Sequence, residues 1–275
     1  MLTLLNIQDY MSKALRGETS VSPAGLSAFV EDTRHSVNRQ LTEKRGEYRI
    51  RMSGLGRPLC QQVLDKKGVK ESMQYNTLFR FMFGDITEAI LMLVMREGGV
   101  DIVDAQRQVE LKLGDQTIKG TLDVIIRDET GTEKVWDIKS ASDWAFKNKF
   151  TGFGGYDGLK EDDPFGYVDQ LAGYGKASGG WIVVNKSSGE VAIVEAPEWQ
   201  DEDRVKYLAD AEERVKFLTD PNVKEFKPYP DEFETYRRKG ETLQTGNKVL
   251  AKECNLCGYR SHCWPKAELH DRVTS

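Results

Sequence analysis

The 275-residue chain has no apolar run close to the roughly 18 residues that a membrane-spanning helix requires, and no basic stretch followed by an apolar core at its start. A bilayer span and a secretory leader are therefore not expected, and the chain reads as a soluble, cytoplasmic protein. It also lacks excess positive charge: 39 Lys and Arg against 44 Asp and Glu leave a net charge of -5. That excludes a protein that coats nucleic acid by bulk charge, while a local basic groove remains compatible with it. No internal repeat and no low-complexity tract is present, and cysteine is scarce. Of the four cysteines, three stand together at Cys254, Cys257 and Cys263. In an intracellular chain this clustering points to a metal rather than to disulfides.

What remains is an ordinary globular composition, 39% hydrophobic and 30% charged, long enough for one large domain or a domain with a smaller appendage. Residues 1–47 read as helical, with Ser22-Pro23 separating two segments. A strand-like Tyr48–Met52 follows, then a Gly/Pro turn and a short helix around Cys60. From Thr77 to Met95 apolar residues recur at helical spacing in two stripes, one of them containing Phe79, Phe83 and Ile90, so a largely buried helix is expected. Glu88 in this setting is costly unless a cation or hydrogen bonds meet it; otherwise it and Asp85 form the helix's wet edge. Strands are expected at Val100–Val103 and Gln106–Leu113, helices around Trp144 and over Phe165–Lys176, a hairpin at Trp181–Val184 and Val191–Val194, and a charged helix over Asp201–Thr219. Lys224–Lys252, with Pro228 and Pro230 and little periodicity, reads as a surface linker.

The informative stretch is Gly120-Thr-Leu-Asp123, a turn at Glu129–Thr132, and Val135-Trp-Asp137-Ile-Lys139. Its alternation is that of a β-hairpin. Asp137 and Lys139, two positions apart, share one sheet face, and folding about the turn brings Asp123 opposite Ile138, within a residue of register. Two carboxylates and an ammonium then converge. Carboxylates are hard ligands suited to Mg2+ or Mn2+, and a neighbouring lysine can orient water and offset charge on a phosphoryl transition state. The competing reading is an amphipathic hairpin with a weak solvent-facing ion pair.

The cysteines follow C-x2-C-x5-C. A closed site needs a fourth ligand, either Cys60, which would tie the two ends of the chain together, or His262, with Cys60 then a core residue. Zinc and an iron-sulfur cluster both accept such ligands; three clustered cysteines plus a distant one favour the cluster. Trp144-Ala-Phe146-Lys147-Asn-Lys149-Phe150 suits either base stacking with phosphate contact or core aromatics with outward lysines. The Gly152–Gly158 stretch reads as a mobile loop near the site. Tyr236-Arg237-Arg238-Lys239 reads as a solvated basic cluster.

Together these motifs resemble the RecB-type branch of the PD-(D/E)XK nuclease superfamily, in particular its iron-sulfur members, which include CRISPR-associated, AddB-type and phage exonucleases. The likeness runs from about Ser53 to Cys263. Gly84-Asp-Ile-Thr-Glu88 matches the family's G-x-x-x-(H/E), Gly120-Thr-Leu-Asp123 its G-x-x-D, Asp137-Ile-Lys139 its (D/E)-x-K and Gln170-Leu-Ala-Gly-Tyr174 its Q-x-x-x-Y. Leu122 stands where the name-giving proline would be. Glu88 replaces the histidine of many relatives, which bears on metal preference rather than on activity.

The resemblance implies an α/β fold, a restriction-endonuclease-like mixed central sheet flanked by helices with a C-terminal iron-sulfur knuckle. The implied division is a helical segment 1–47, a nuclease core 48–223 to which Cys60 belongs, a linker 224–252 and a cysteine-rich knuckle 253–275. Glu88, Asp123, Asp137 and the backbone carbonyl of Ile138 would bind Mg2+ or Mn2+, and Lys139 would position the attacking water. Gln170 and Tyr174 would brace the lysine and contact DNA. Cys60, Cys254, Cys257 and Cys263 would hold a structural [4Fe-4S] cluster, or alternatively Zn2+. The implied function is a metal-dependent DNA exonuclease of recombination, repair or phage replication, with DNA, single-stranded or at resected duplex ends, as its partner. A recombination or replication protein and a second copy are compatible further partners. The alternative is an iron-sulfur subunit that binds DNA without cutting it.

Overall fold

The computed structural model describes residues 2–265 apart from 44, 45, 72, 73, 153, 176, 177, 200, 228, 230, 231 and 256. Outside the described residues lie Phe153 of the glycine-rich stretch, the expected helix end at Lys176, Pro228 and Pro230, and 266–275 of the C-terminal segment. Among the described residues no helix is long and apolar enough to cross a membrane.

Two helices open the chain, α1 (Leu2–Leu15) and α2 (Pro23–Thr42). The start of α2 is set by local chemistry: Pro23 occupies the first turn, and Ser22 Oγ accepts from Gly25 N at 2.9 Å. Tyr48–Met52 is not a strand. Arg51 makes one isolated bridge to Lys119, and Met52–Gly54 closes into a 3-10 turn ahead of α3 (Leu59–Lys66), which carries Cys60. The long α4 (Tyr75–Glu97) follows. Ser22 Oγ donates to Glu97 Oε1 at 2.6 Å and so fastens the start of α2 to the end of α4.

The central sheet has the order β1 (Ile102–Ala105), β4 (Val124–Arg127), β5 (Glu133–Ala141), β6 (Ser178–Asn185), β7 (Val191–Glu195). Only the β5/β6 pair is parallel, so the sheet is mixed. The parallel pair requires a crossover. It is made by a short helix Asp143–Ala145 continuing into a π-turn at Phe146–Phe150 (together α5), then α6 (Gly155–Glu161) and α7 (Tyr167–Tyr174). Of the Gly152–Gly158 stretch read as loop, Gly155–Gly158 is thus the start of the helix α6, whose Leu159 is buried. A separate hairpin, β2 (Gln108–Leu113) with β3 (Gln116–Thr121), packs through Leu113 and Ile118 on Ala211 and Val215 of α8 (Asp201–Thr219).

Helices cover both faces. Ile7 of α1 and Leu91, Met92 and Met95 of α4 bury Val124, Ile126, Ile138 and Ile182 on one face. Phe146, Phe150, Val168 and Leu171 bury Ala141, Trp181 and Val183 on the other. Each such side chain, fully buried, contributes about 1.5–3 kcal/mol of transfer free energy. The chain is therefore α/β, a mixed sheet flanked by helices.

Two expectations about burial and linkage need correction. The second stripe of α4 is mostly not buried: Phe79, Phe83 and Ile90 are exposed, and the α4 side chains that pack over the sheet are Leu91, Met92, Val94 and Met95 near its C-terminal end. The expected linker contains a hairpin, β8 (Glu232–Arg238) and β9 (Glu241–Val249). The Arg237–Lys239 cluster sits at its tip. Two short helices, α9 (Lys252–Asn255) and α10 (Arg260–Cys263), carry Cys254 and Cys263, and Cys257 lies between them.

Candidate functional site: a buried carboxylate and lysine cluster

β5 is the middle strand of the sheet, and its alternation sends Val135, Asp137 and Lys139 to one face and Ile138 to the other. Lys139 Nζ meets Asp137 Oδ2 at 2.5 Å, with side-chain exposures of 19% and 2%. The pair is not the solvent-facing ion pair of the competing sequence reading. The register differs by one from the expected fold of the hairpin. Val124 pairs with Trp136, which places Asp123 next to the level of Asp137. Asp123 still reaches one residue further, and Ile138 N donates to its Oδ2 at 2.7 Å.

Leu122 and Asp123 lie in the gap between β3 and β4, where the chain passes from the small hairpin to the central sheet. Gly120 makes that passage close-fitting: a Cβ there would lie 2.7 Å from Met52 Cβ. On α4, a Cβ at Gly84 would touch Ser140 Oγ at 3.4 Å. The helix thus runs close to the end of β5, with Glu88 one turn further along. Asp85, three residues before Glu88 on α4, is not a free wet edge. Arg39 Nη2 and Gln40 Nε2 of α2 each donate to its Oδ2 at 2.9 Å, which gives α2 a part in the site.

Gln170 and Tyr174 brace the cluster from α7. Gln170 Nε2 donates to Asp137 Oδ1 at 3.2 Å and to Tyr174 OH at 2.7 Å, and Tyr174 OH donates to Thr121 O at 2.9 Å. The carboxylate, rather than the lysine expected from the sequence, is what Gln170 holds. The residue beside the lysine is Tyr167, whose ring centre lies 4.9 Å from Lys139 Nζ. Its position three before Gln170 and seven before Tyr174, on the same helical face, was a readable signal. Gln106 was also missed. Its Nε2 donates to Glu88 Oε1 at 2.6 Å and its N to Asp123 O at 2.9 Å. Its φ of 53°, unusual for a residue other than glycine, has no sequence signature.

The electrostatics follow from burial. Desolvation, then the charges of Asp85 and Asp137, pushes Glu88 up to about 7 against the pull of Lys139 and Arg39. Burial, then the charges of Asp137 and Glu88, raises Asp123 well above the usual carboxylate range. Burial works against the Lys139 charge, but Asp137 and Asp123 overcome it and hold the ammonium above its ordinary range. Among the described residues no three His, Cys, Asp or Glu side chains are gathered tightly enough to hold a metal ion as they stand. Lys139 takes up Asp137 Oδ2, although no well-directed hydrogen bond reaches that buried oxygen. The donor set is nevertheless apt for a hard divalent cation: Glu88 and Asp123, both raised by burial and by the charge of Asp137, are what such an ion would relieve.

A stability prediction follows. A carboxyl whose folded pKa lies above its unfolded value of 4.5 favours folding while protonated and opposes it as pH rises toward about 7. In chelator, the wild type should lose several degrees of Tm between pH 5 and pH 8 relative to Glu88→Gln. Parallel melts of the two proteins would show no contribution from Glu88.

The four cysteines stand around a second place. Cys60, Cys254, Cys257 and Cys263 line one recess with Tyr259 and Trp264. Burial, then the neighbouring Cys257, pushes the Cys60 thiol up to about 11. The C-terminal segment docks on α3 through Tyr259, whose buried OH donates to Asp65 Oδ1 at 2.7 Å. His262 Nε2 lies 3.0 Å from Glu225 Oε2 and faces that carboxylate.

The aromatic-lysine stretch divides between its two readings. Phe146 and Phe150 are core, while Trp144 is exposed. Lys147 pairs with Asp143 at 2.9 Å, and Lys149 pairs with Asp162.

No family model and no curated protein matches the chain. One solved structure, titled "Crystal structure of SSO0001", aligns with 70% of this chain and 88% of its own at 17% identity, with a TM-score of 0.43.

Proposed function

We propose that the chain is a metal-dependent deoxyribonuclease of the restriction-endonuclease-like fold, acting as an exonuclease on DNA ends. The observation that carries this reading is the buried Asp137–Lys139 pair on the central strand, faced by Asp123 and Glu88 and held by Gln170. Burying three acids and a lysine together is expensive for a structural purpose alone, and a hydrophobic replacement would often be more stable. Perturbed groups of this kind concentrate at functional sites.

Glu88, Asp123 and Asp137, with the backbone carbonyl of Ile138, would hold Mg2+ or Mn2+, which would supply Lewis acidity toward a phosphate oxygen and a more acidic water. Lys139 orients the attacking water and offsets charge that develops on the phosphoryl group. Gln170 fixes Asp137 through Oδ1, Tyr174 fixes Gln170, and Gln106 fixes Glu88. The cysteine recess is read as the seat of a structural [4Fe-4S] cluster, with zinc as its alternative. Its four cysteines, one on α3 and three near the C-terminal end, line one hollow.

The test uses end-labelled linear DNA and covalently closed circles, single- and double-stranded, with Mg2+, Mn2+ or chelator. Linear DNA should be degraded from its ends, circles spared and chelator inhibitory. Circles cut as fast as linear DNA would remove the exonuclease reading.

A further inference from the structure

The turn Pro164-Phe165-Gly166 leads into α7, and Phe165 is 50% exposed on it. Its ring stacks on Tyr167, with centroids 5.5 Å apart and planes at 25°. Tyr167 stacks in turn on the buried Phe150 at 6.1 Å and 29°. The three rings form a ladder from the core to the surface. Lys139 lies over the middle ring, so the exposed ring is one step from the lysine.

The turn is rigid. Val168 N donates to Asp163 Oδ2 at 2.8 Å, and Gly166 N donates to Asp163 O at 3.3 Å. Gly166 has φ of 74°, and a Cβ there would lie 2.6 Å from Gly56 Cα, so this residue must be glycine. Arg214 Nε secures the opposing loop by donating to Leu55 O at 2.6 Å. Phe165 is therefore presented by the same fixed unit that presents Gln170 and Tyr174.

A single exposed phenylalanine is ordinary. One held on a rigid turn, stacked in series on the ring beneath Lys139, offers an aromatic face one ring beyond the lysine's own neighbour. We propose that Phe165 is the platform on which the base of the bound nucleotide stacks, setting its phosphate against Lys139. It acts as a positioning residue. The face takes only an unpaired base, since a paired base has no free plane to offer within the duplex stack. The phosphate's fate rests on the nuclease reading; the base contact does not.

The test is binding in chelator, by fluorescence anisotropy, of a labelled thymidine homo-oligonucleotide and of an abasic oligomer of equal length. Phe165→Leu keeps an apolar side chain but no stacking face, and Phe165→Trp keeps the face. Phe165→Leu should weaken the base-containing oligomer roughly ten- to a hundredfold, leave the abasic one unchanged and be rescued by Phe165→Trp, with Tm unchanged throughout. If the chain cleaves DNA, the loss should appear in KM more than in kcat. Equal weakening of both oligomers, or of neither, overturns the proposal, as does a wild type that binds neither. Base-dependent binding without cleavage would remove the nuclease reading and leave the platform standing. Cleavage with Phe165→Leu indifferent would do the reverse.

Discussion

Lys139→Ala is expected to lower DNA hydrolysis by roughly a hundred- to ten-thousandfold, the range spanned when one acid-base or charge-stabilising group is removed. The same change leaves Asp137, 2% exposed, without its cation. Stranding a buried charge costs about 3–5 kcal/mol, and part of that is relieved if Asp137 takes up a proton. Loss of activity by unfolding and loss by chemistry must therefore be separated. Lys139→Met keeps an unbranched apolar stem and removes the charge, so it should melt closer to the wild type and still fail to cleave. Single-turnover rates read beside thermal melts settle the matter. A Lys139→Met protein that folds and digests DNA at the wild-type rate would show that the lysine has no part in the reaction.

The second large effect is expected at the cysteines. Cys257→Ala should abolish binding of the proposed metal and lower stability by about 5 kcal/mol or more, because a structural metal contributes its binding energy to folding. For a chain of this size that corresponds to a fall in Tm of roughly ten degrees or more. The ligands it would join are far apart in the chain, Cys60 on α3 and three near the C-terminus, so closing that long loop restricts the unfolded state as well. The wild type, purified without oxygen, should be brown and hold about four iron atoms per chain; a colourless protein with stoichiometric zinc would assign the recess to zinc. A Cys257→Ala protein that keeps its metal and its Tm would contradict the clasp altogether.

Much of this site could be read from the sequence, since period-two alternation alone puts Asp137 and Lys139 on one face. The one-residue register difference arises in the turn. Asp128 Oδ1 accepts from Thr130 N and Thr132 N at 2.9 Å each, which draws the turn tight around Gly131 and shifts the pairing. The hairpin β8/β9 escaped because its residues are almost all exposed and polar. Alternation carries no signal where neither face is buried. Its one readable mark was Lys239-Gly240, both at positive φ in the turn. The exposed aromatics of α4 look like core at helical spacing, and only the tertiary placement of the sheet leaves Phe79 and Phe83 in solvent. Gln106 and Tyr259 act through long-range contacts, to Glu88 and to Asp65, which no local pattern announces.

The most direct test of the account is DNA hydrolysis by the wild type and Asp137→Asn, prepared side by side and assayed on end-labelled linear DNA with Mn2+. Asp137 is the carboxylate that Lys139 and Gln170 both hold. The account predicts degradation by the wild type and at least a hundredfold less by the variant at unchanged fold. Equal digestion by the two proteins, or none by the wild type, would contradict it.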